Sequence, residues 1–146
     1  MNLNGANILL VEDNPQDVEL VIRALKKQNL ADQVQVARDG AEALEMIFDS
    51  GGKSGGLPEN LKVILLDLKL PKISGFEVLE KIKNEARTRA IPVVVLTSSP
   101  EENDIKESYR LGANSYVVKP VEYDNFIAAV AQLGSYWLLL NRTGSE

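Results

Sequence analysis

"VILLDLKLP", residues Val63 to Pro71, joins an unbroken apolar run to a carboxylate. Four consecutive apolar residues suit a strand buried on both faces, and the run passes straight into Asp67. A carboxylate is costly to bury unless a partner meets it, so Asp67 must sit where the strand meets water or a cation. Other segments share this form. "NILLV" (7–11) ends in Glu12 and Asp13, "PVVVLT" (92–97) ends in Thr97, and "SYVV" (115–118) runs into Lys119. "QVQVA" (33–37) alternates, as a fifth strand would.

Helical spacing fills the intervals. Pro15 permits a helix start, followed by Val18, Val21, Ile22 and Leu25. Asp39 can cap a second helix with Ala41, Leu44, Ile47 and Phe48 on its apolar face. Phe76, Leu79 and Ile82 mark a third. A fourth follows Pro100, carries Ile105 and Leu111 and stops at Gly112, a left-handed cap. "VEYDNFIAAVAQLGSYWLLLN" (121–141) reads as the last. Strand and helix alternate five times, which predicts an α/β fold: a doubly wound five-stranded parallel sheet with helices on both faces. Sites in such sheets form beyond the carboxyl ends of the strands.

Composition narrows the chemistry. The 146 residues, 45% hydrophobic and 25% charged, fit one domain. With no cysteine and no histidine, thiolate and imidazole metal sites and a Ser-His-Asp triad are excluded, leaving oxygen ligands and lysine. A net charge of −5 without a basic stripe argues against nucleic acid. Neither a leader peptide nor a stretch of transmembrane length is visible, so no membrane association and a cytoplasmic location are expected. "GGKS" (51–54), in the glycine-rich link 49–60, lacks the glycine that a phosphate loop needs at Ile47 and follows a helix where that loop follows a strand, so it reads as a surface loop. "NRT" at Asn141 is read as a chance glycosylation match.

In the predicted sheet Glu12, Asp13, Asp67, Thr97 and Lys119 converge on one rim. Clustered carboxylates repel one another, so either a pKa rises or a hard cation enters, and oxygen ligands suit magnesium or manganese. Metal, ammonium and hydroxyl together suit a phosphoryl group, with Asp67 the candidate nucleophile.

These residues reach a known family. "LLVEDN", "VILLDLKLPKISGFEVLEKIK", "IPVVVLTSS" and "LGANSYVVKP" resemble the receiver domain of two-component response regulators, over nearly the whole chain. The resemblance implies a flavodoxin-like sheet of strand order 2-1-3-4-5 and a single receiver domain over 1–146, with a core at about 5–133 and an extended C-terminal helix and tail at 134–146. It implies that Asp67 takes a phosphoryl group from a sensor histidine kinase. Asp13, Asp67 and the Lys69 backbone carbonyl would hold magnesium, with Glu12 helping, and Thr97 and Lys119 would contact the phosphoryl oxygens. The Lys119–Pro120 bond would be cis, Tyr116 would turn inward on activation, and the small Ser98 would leave access to Asp67. Such a chain is no enzyme beyond its own phosphorylation and dephosphorylation. The glycine-rich link, "TSSPEENDI" and "YWLLLN" are similar to the small regulators that partner phytochrome-type kinases. Lys69 departs from the asparagine often found there, which puts the dephosphorylation rate in doubt.

Three alternatives compete. A haloacid dehalogenase-type phosphatase wants a second aspartate where Lys69 stands, and a dinucleotide-binding module wants G-x-G-x-x-G where "VEDNPQD" stands. A receiver-like scaffold acting by binding alone would not need the full acidic, threonine and lysine set. In the last segment, Tyr136, Trp137, Leu138, Leu139 and Leu140 exceed one buried stripe. They are expected to help Tyr116 build a homodimer interface, with a further downstream protein as the reader.

Overall fold

The computed structural model describes residues 8–27, 34–49 and 61–119. Along them run β1 (Ile8–Val11), α1 (Pro15–Lys27), β2 (Val34–Ala37), α2 (Gly40–Leu44), β3 (Val63–Leu66), α3 (Gly75–Asn84), β4 (Val93–Thr97), α4 (Glu102–Arg110) and β5 (Ser115–Val118). The five strands form one parallel sheet in the order β2-β1-β3-β4-β5, as expected. Most of the link 49–60, the last predicted helix, Pro120, Tyr136, Trp137 and Leu140 lie outside the described residues. Among the described residues no helix is long and apolar enough to cross a membrane.

The unbroken apolar runs follow from burial on two faces. Successive strand residues point to opposite sides, so Leu9, Val11, Ile64, Leu66, Val93 and Val95 enter one core with Ala43, Met46, Ile47, Val78, Leu79 and Ile82. Their neighbours Ile8, Leu10, Val63, Leu65, Val94 and Leu96 enter a second core with Val18, Val21, Ala24 and Leu25 of α1. Each fully buried Leu or Ile stabilises the fold by about 1.5–3 kcal/mol, so a one-residue slip would invert both faces and is strongly disfavoured.

Local chemistry sets the helix starts. Asn14 Oδ1 accepts from the amides of Gln16 and Asp17, at 2.8 and 3.2 Å, directly ahead of Pro15, which has no N–H to satisfy. Asp39 caps α2 as predicted, accepting from the Glu42 amide at 2.7 Å, while Glu42 reaches back to the Arg38 amide at 2.7 Å. Gly112 has the expected left-handed backbone, φ 109°.

The second helix keeps most of its predicted apolar face but departs from a regular α-helix in shape. After Leu44 it widens into a π-helical turn, Glu45–Asp49; Gly40, Ala43, Met46 and Ile47 are buried, Leu44 and Phe48 pack partly buried against the same core, and Ala41 is half-buried. Ala43, Met46 and Ile47 stand at i, i+3 and i+4, the spacing of one helical face, so their shared burial does not depend on the wider turn.

Candidate functional site

The rim above the carboxyl ends of β1, β3, β4 and β5 is fixed by backbone bonds that continue past the strands. Asp67 N donates to Val11 O at 3.0 Å, Glu12 N to Ala37 O at 2.9 Å and Lys119 N to Thr97 O at 2.7 Å. Each bond sets how far its side chain stands above the sheet. At the start of α3, the Gly75 amide donates to Leu68 O at 2.9 Å. A Cβ there would collide with the Asp67 carbonyl and lie 2.6 Å from Leu68 Cα. Glycine thus lets α3 begin directly against the strand end that presents Asp67.

All five side chains singled out on the strand ends lie on this rim. Glu12, Asp13 and Asp67 each offer a carboxylate oxygen, and the three oxygens lie within 4.8 Å of one another. Asp13 is exposed, whereas Glu12 retains 1% of its accessible surface and Asp67 8%. Lys119 Nζ reaches Glu12 Oε1 at 2.5 Å, Asp17 Oδ2 at 2.9 Å and Asp67 Oδ2 at 3.8 Å. Burial pushes the Glu12 carboxyl up to about 7 against the opposing pull of Lys119. Burial alone would lower the Lys119 ammonium, but contact with Glu12, helped by Asp67 and Asp17, holds it above the ordinary lysine value. The pocket is therefore rich in hard oxygen donors, with the Lys119 ammonium at its wall. Those donors fit a hard divalent cation, whose charge would relieve the repulsion.

The remaining predicted residues surround this centre. Lys69 is exposed, with its amide 3.5 Å from Asp67 Oδ1. Thr97 is fully buried, and its Oγ1 accepts from the Ser99 amide at 3.4 Å. That contact occupies an acceptor position and leaves the Thr97 hydroxyl hydrogen free to donate. Ser98, directly after Thr97, is exposed. Tyr116 packs against the first core, and its hydroxyl donates to Ser99 O at 2.8 Å. Burial keeps that phenol above its ordinary pKa, so it remains a donor.

Two participants escaped the sequence reading. Asp17 contacts Lys119, and the available signal was an acid in the first turn of a helix that starts at the rim. Ser99 accepts from Tyr116 through its carbonyl, while its Oγ donates to Asp104 Oδ2 of α4 at 2.5 Å. A serine two residues beyond a strand end carries no such signal by itself.

Comparison with known proteins agrees with this geometry. Residues 8–131 match the response regulator receiver domain family. The "Probable methanogenesis regulatory protein FilR2" of Methanothrix harundinacea is 41% identical over 138 residues, covering 93% of this chain and 86% of the relative. "Response regulator Rcp1" of Synechocystis is 40% identical over 131 residues, covering 90% of this chain and 88% of the relative. Among solved structures, the phosphorylated cyanobacterial phytochrome response regulator RcpA superposes with a TM-score of 0.81 at 38% identity, covering 93% of this chain and 95% of that one. The manganese-bound form of Rcp1 superposes with a TM-score of 0.79 at 38% identity, covering 90% and 94%.

Proposed function

Because the chain belongs to the response regulator receiver domain family of two-component signalling, we propose that it works as a single-domain regulator that accepts a phosphoryl group on Asp67 from a sensor histidine kinase. The observation that carries this reading is the Asp67 carboxylate at the end of β3, 3.8 Å from the Lys119 ammonium and clustered with the oxygens of Glu12 and Asp13. An Asp67 oxygen attacks phosphorus, the bond from phosphorus to the kinase histidine nitrogen breaks, and its electron pair stays on the imidazole. Lys119 and the Thr97 hydroxyl donate to the phosphoryl oxygens.

Glu12, Asp13, Asp67 and the Lys69 carbonyl would hold magnesium or manganese, and the existence of a manganese-bound form of Rcp1 supports a divalent cation. When bound, the cation neutralises charge on the transferred group. Output then follows from a population shift. Taking an equilibrium from mostly off to mostly on needs about 5 kcal/mol of differential interaction, within reach of a few charge-assisted hydrogen bonds. Thr97 leads through Ser99 to Tyr116 and α4, so that face would report phosphorylation to a downstream protein. The likeness to Rcp1 and RcpA favours a phytochrome-type kinase as donor.

Asp13→Ala tests the metal reading. It should weaken magnesium binding about tenfold or more and slow phosphorylation by acetyl phosphate in parallel, because one charged oxygen ligand is lost. Calorimetric titration showing unchanged affinity would mean the acidic pocket is merely solvated.

Homodimerisation belongs to the same proposal. Tyr109 of α4 is 49% exposed, a large apolar side chain beside the reporting face that contains Tyr116. The apolar "YWLLLN" ending is inferred from its sequence to contribute to the same interface. Sedimentation should show a dimer that grows with phosphorylation and weakens when Trp137 and Leu140 become polar, and a monomer in both states at high concentration would refute it.

A further inference from the structure

Lys119 is more heavily partnered than the phosphoryl chemistry requires. Its ammonium touches Glu12 at 2.5 Å and Asp17 at 2.9 Å while standing 3.8 Å from Asp67. An ammonium carries three N–H donors in fixed tetrahedral directions on a stem that otherwise rotates freely. Two contacts are enough to stop that rotation. Glu12 comes from the end of β1, and Asp17 from the first turn of α1, whose start is pinned by the Asn14 side chain accepting the Asp17 amide at 3.2 Å. The side chain of Asp17 retains 27% of its surface, against 3% for that of Lys119. Asp17 thus stands at the mouth of the pocket and Lys119 inside it.

We propose that Asp17 is a positioning residue for phosphoryl transfer: with Glu12 it takes two of the three Lys119 N–H groups and so aims the third at the Asp67 oxygens. The proposal rests on the reading that Asp67 accepts a phosphoryl group. Asp17 touches neither phosphorus nor Asp67 and acts only through Lys119. Its carboxylate would serve as an acceptor first and as a charge second, which separates this role from a general field effect. It also separates it from competition, in which Asp17 would draw Lys119 away from the phosphoryl group.

The test compares Asp17→Ala with Asp17→Asn. Both remove the charge, but only asparagine keeps an acceptor oxygen. Phosphorylation by acetyl phosphate with saturating magnesium should slow about tenfold in Asp17→Ala, the effect of losing one hydrogen bond to a charged group, and asparagine should restore most of the rate. Magnesium affinity, which feels the lost charge alone, should be equal in the two variants. In the unphosphorylated protein, the Lys119 ammonium resonance in nitrogen-15 NMR should persist in the parent and in Asp17→Asn and broaden through proton exchange in Asp17→Ala. In a Lys119→Ala background, Asp17→Ala should change nothing further. The proposal is overturned if Asp17→Ala is as fast as the parent or faster, if asparagine is as slow as alanine, or if the loss persists without Lys119. Failure of the parent to label on Asp67 would instead remove the underlying reading, and that arm is scored before any variant.

Discussion

Asp67→Asn should fold as the parent does and take up no phosphoryl group from either a kinase or acetyl phosphate, a fall of more than about a thousandfold. The amide matches the carboxylate in size, so the packing that leaves Asp67 8% exposed is kept. It also removes one of three mutually repelling charges, so thermal stability should hold or rise slightly. What disappears is the nucleophile, and neither Glu12 nor Asp13 can replace it. Both stand at the end of β1, one strand away from the point where Gly75 and the start of α3 leave Asp67 presented. Labelling by radioactive phosphoryl donor, alongside circular dichroism to verify the fold, checks both halves of the expectation. Undiminished labelling would discard the site assignment.

A single methyl group at Gly75 should cost nearly as much by a different route. The added Cβ of Gly75→Ala would meet backbone on two sides, the Asp67 carbonyl and Leu68 Cα. A flexible side chain could swing away, but these atoms belong to the strand end and can yield only by shifting Asp67 itself. Overpacking of this kind typically costs about 1–3 kcal/mol, and more where backbone must move. Urea denaturation should therefore show a loss of about 3 kcal/mol, with slower phosphorylation in whatever fraction folds. A variant as stable as the parent would show that α3 can retreat from β3 without consequence, and that the close approach does not position the site.

Much of this architecture was legible because two periodicities and one contradiction were printed in the chain. A run such as Val63 to Leu66 can be satisfied only between two covered faces, and the two separate cores filled by alternate strand residues supply them. The contradiction was a carboxylate at the end of each of two such runs, and the structure brings Glu12, Asp13 and Asp67 together at one rim. The helix after Asp39 was legible at its start, where the cap is a local bond between Asp39 and Glu42, and less so at its end, where it widens into a π turn from Glu45 to Asp49. No local pattern announces a wider turn, since helix propensity is nearly blind to it.

Pairings between distant residues were the least legible. Asp17 meets Lys119 across 102 positions of sequence, and only the sheet order explains why the first turn of α1 reaches the end of β5. Lys83 likewise looks like an ordinary helix-surface lysine. It is instead half-buried, donating to Arg89 O at 3.0 Å, Ile91 O at 2.8 Å and Asn114 Oδ1 at 3.3 Å, and so ties α3 to the segments that lead into β4 and β5. Burial lowers its pKa, which no reading of neighbouring residues would suggest.

Above all, we propose that the carboxylate at the end of β3 is a metal-dependent phosphoryl acceptor. Its most direct test is intact-protein mass spectrometry after incubation with acetyl phosphate, with magnesium and with a chelator, followed by mapping of the modified peptide. One phosphoryl addition is expected in magnesium, located on Asp67, and none in chelator. An unmodified protein in magnesium, or an addition placed on any other residue, would contradict it.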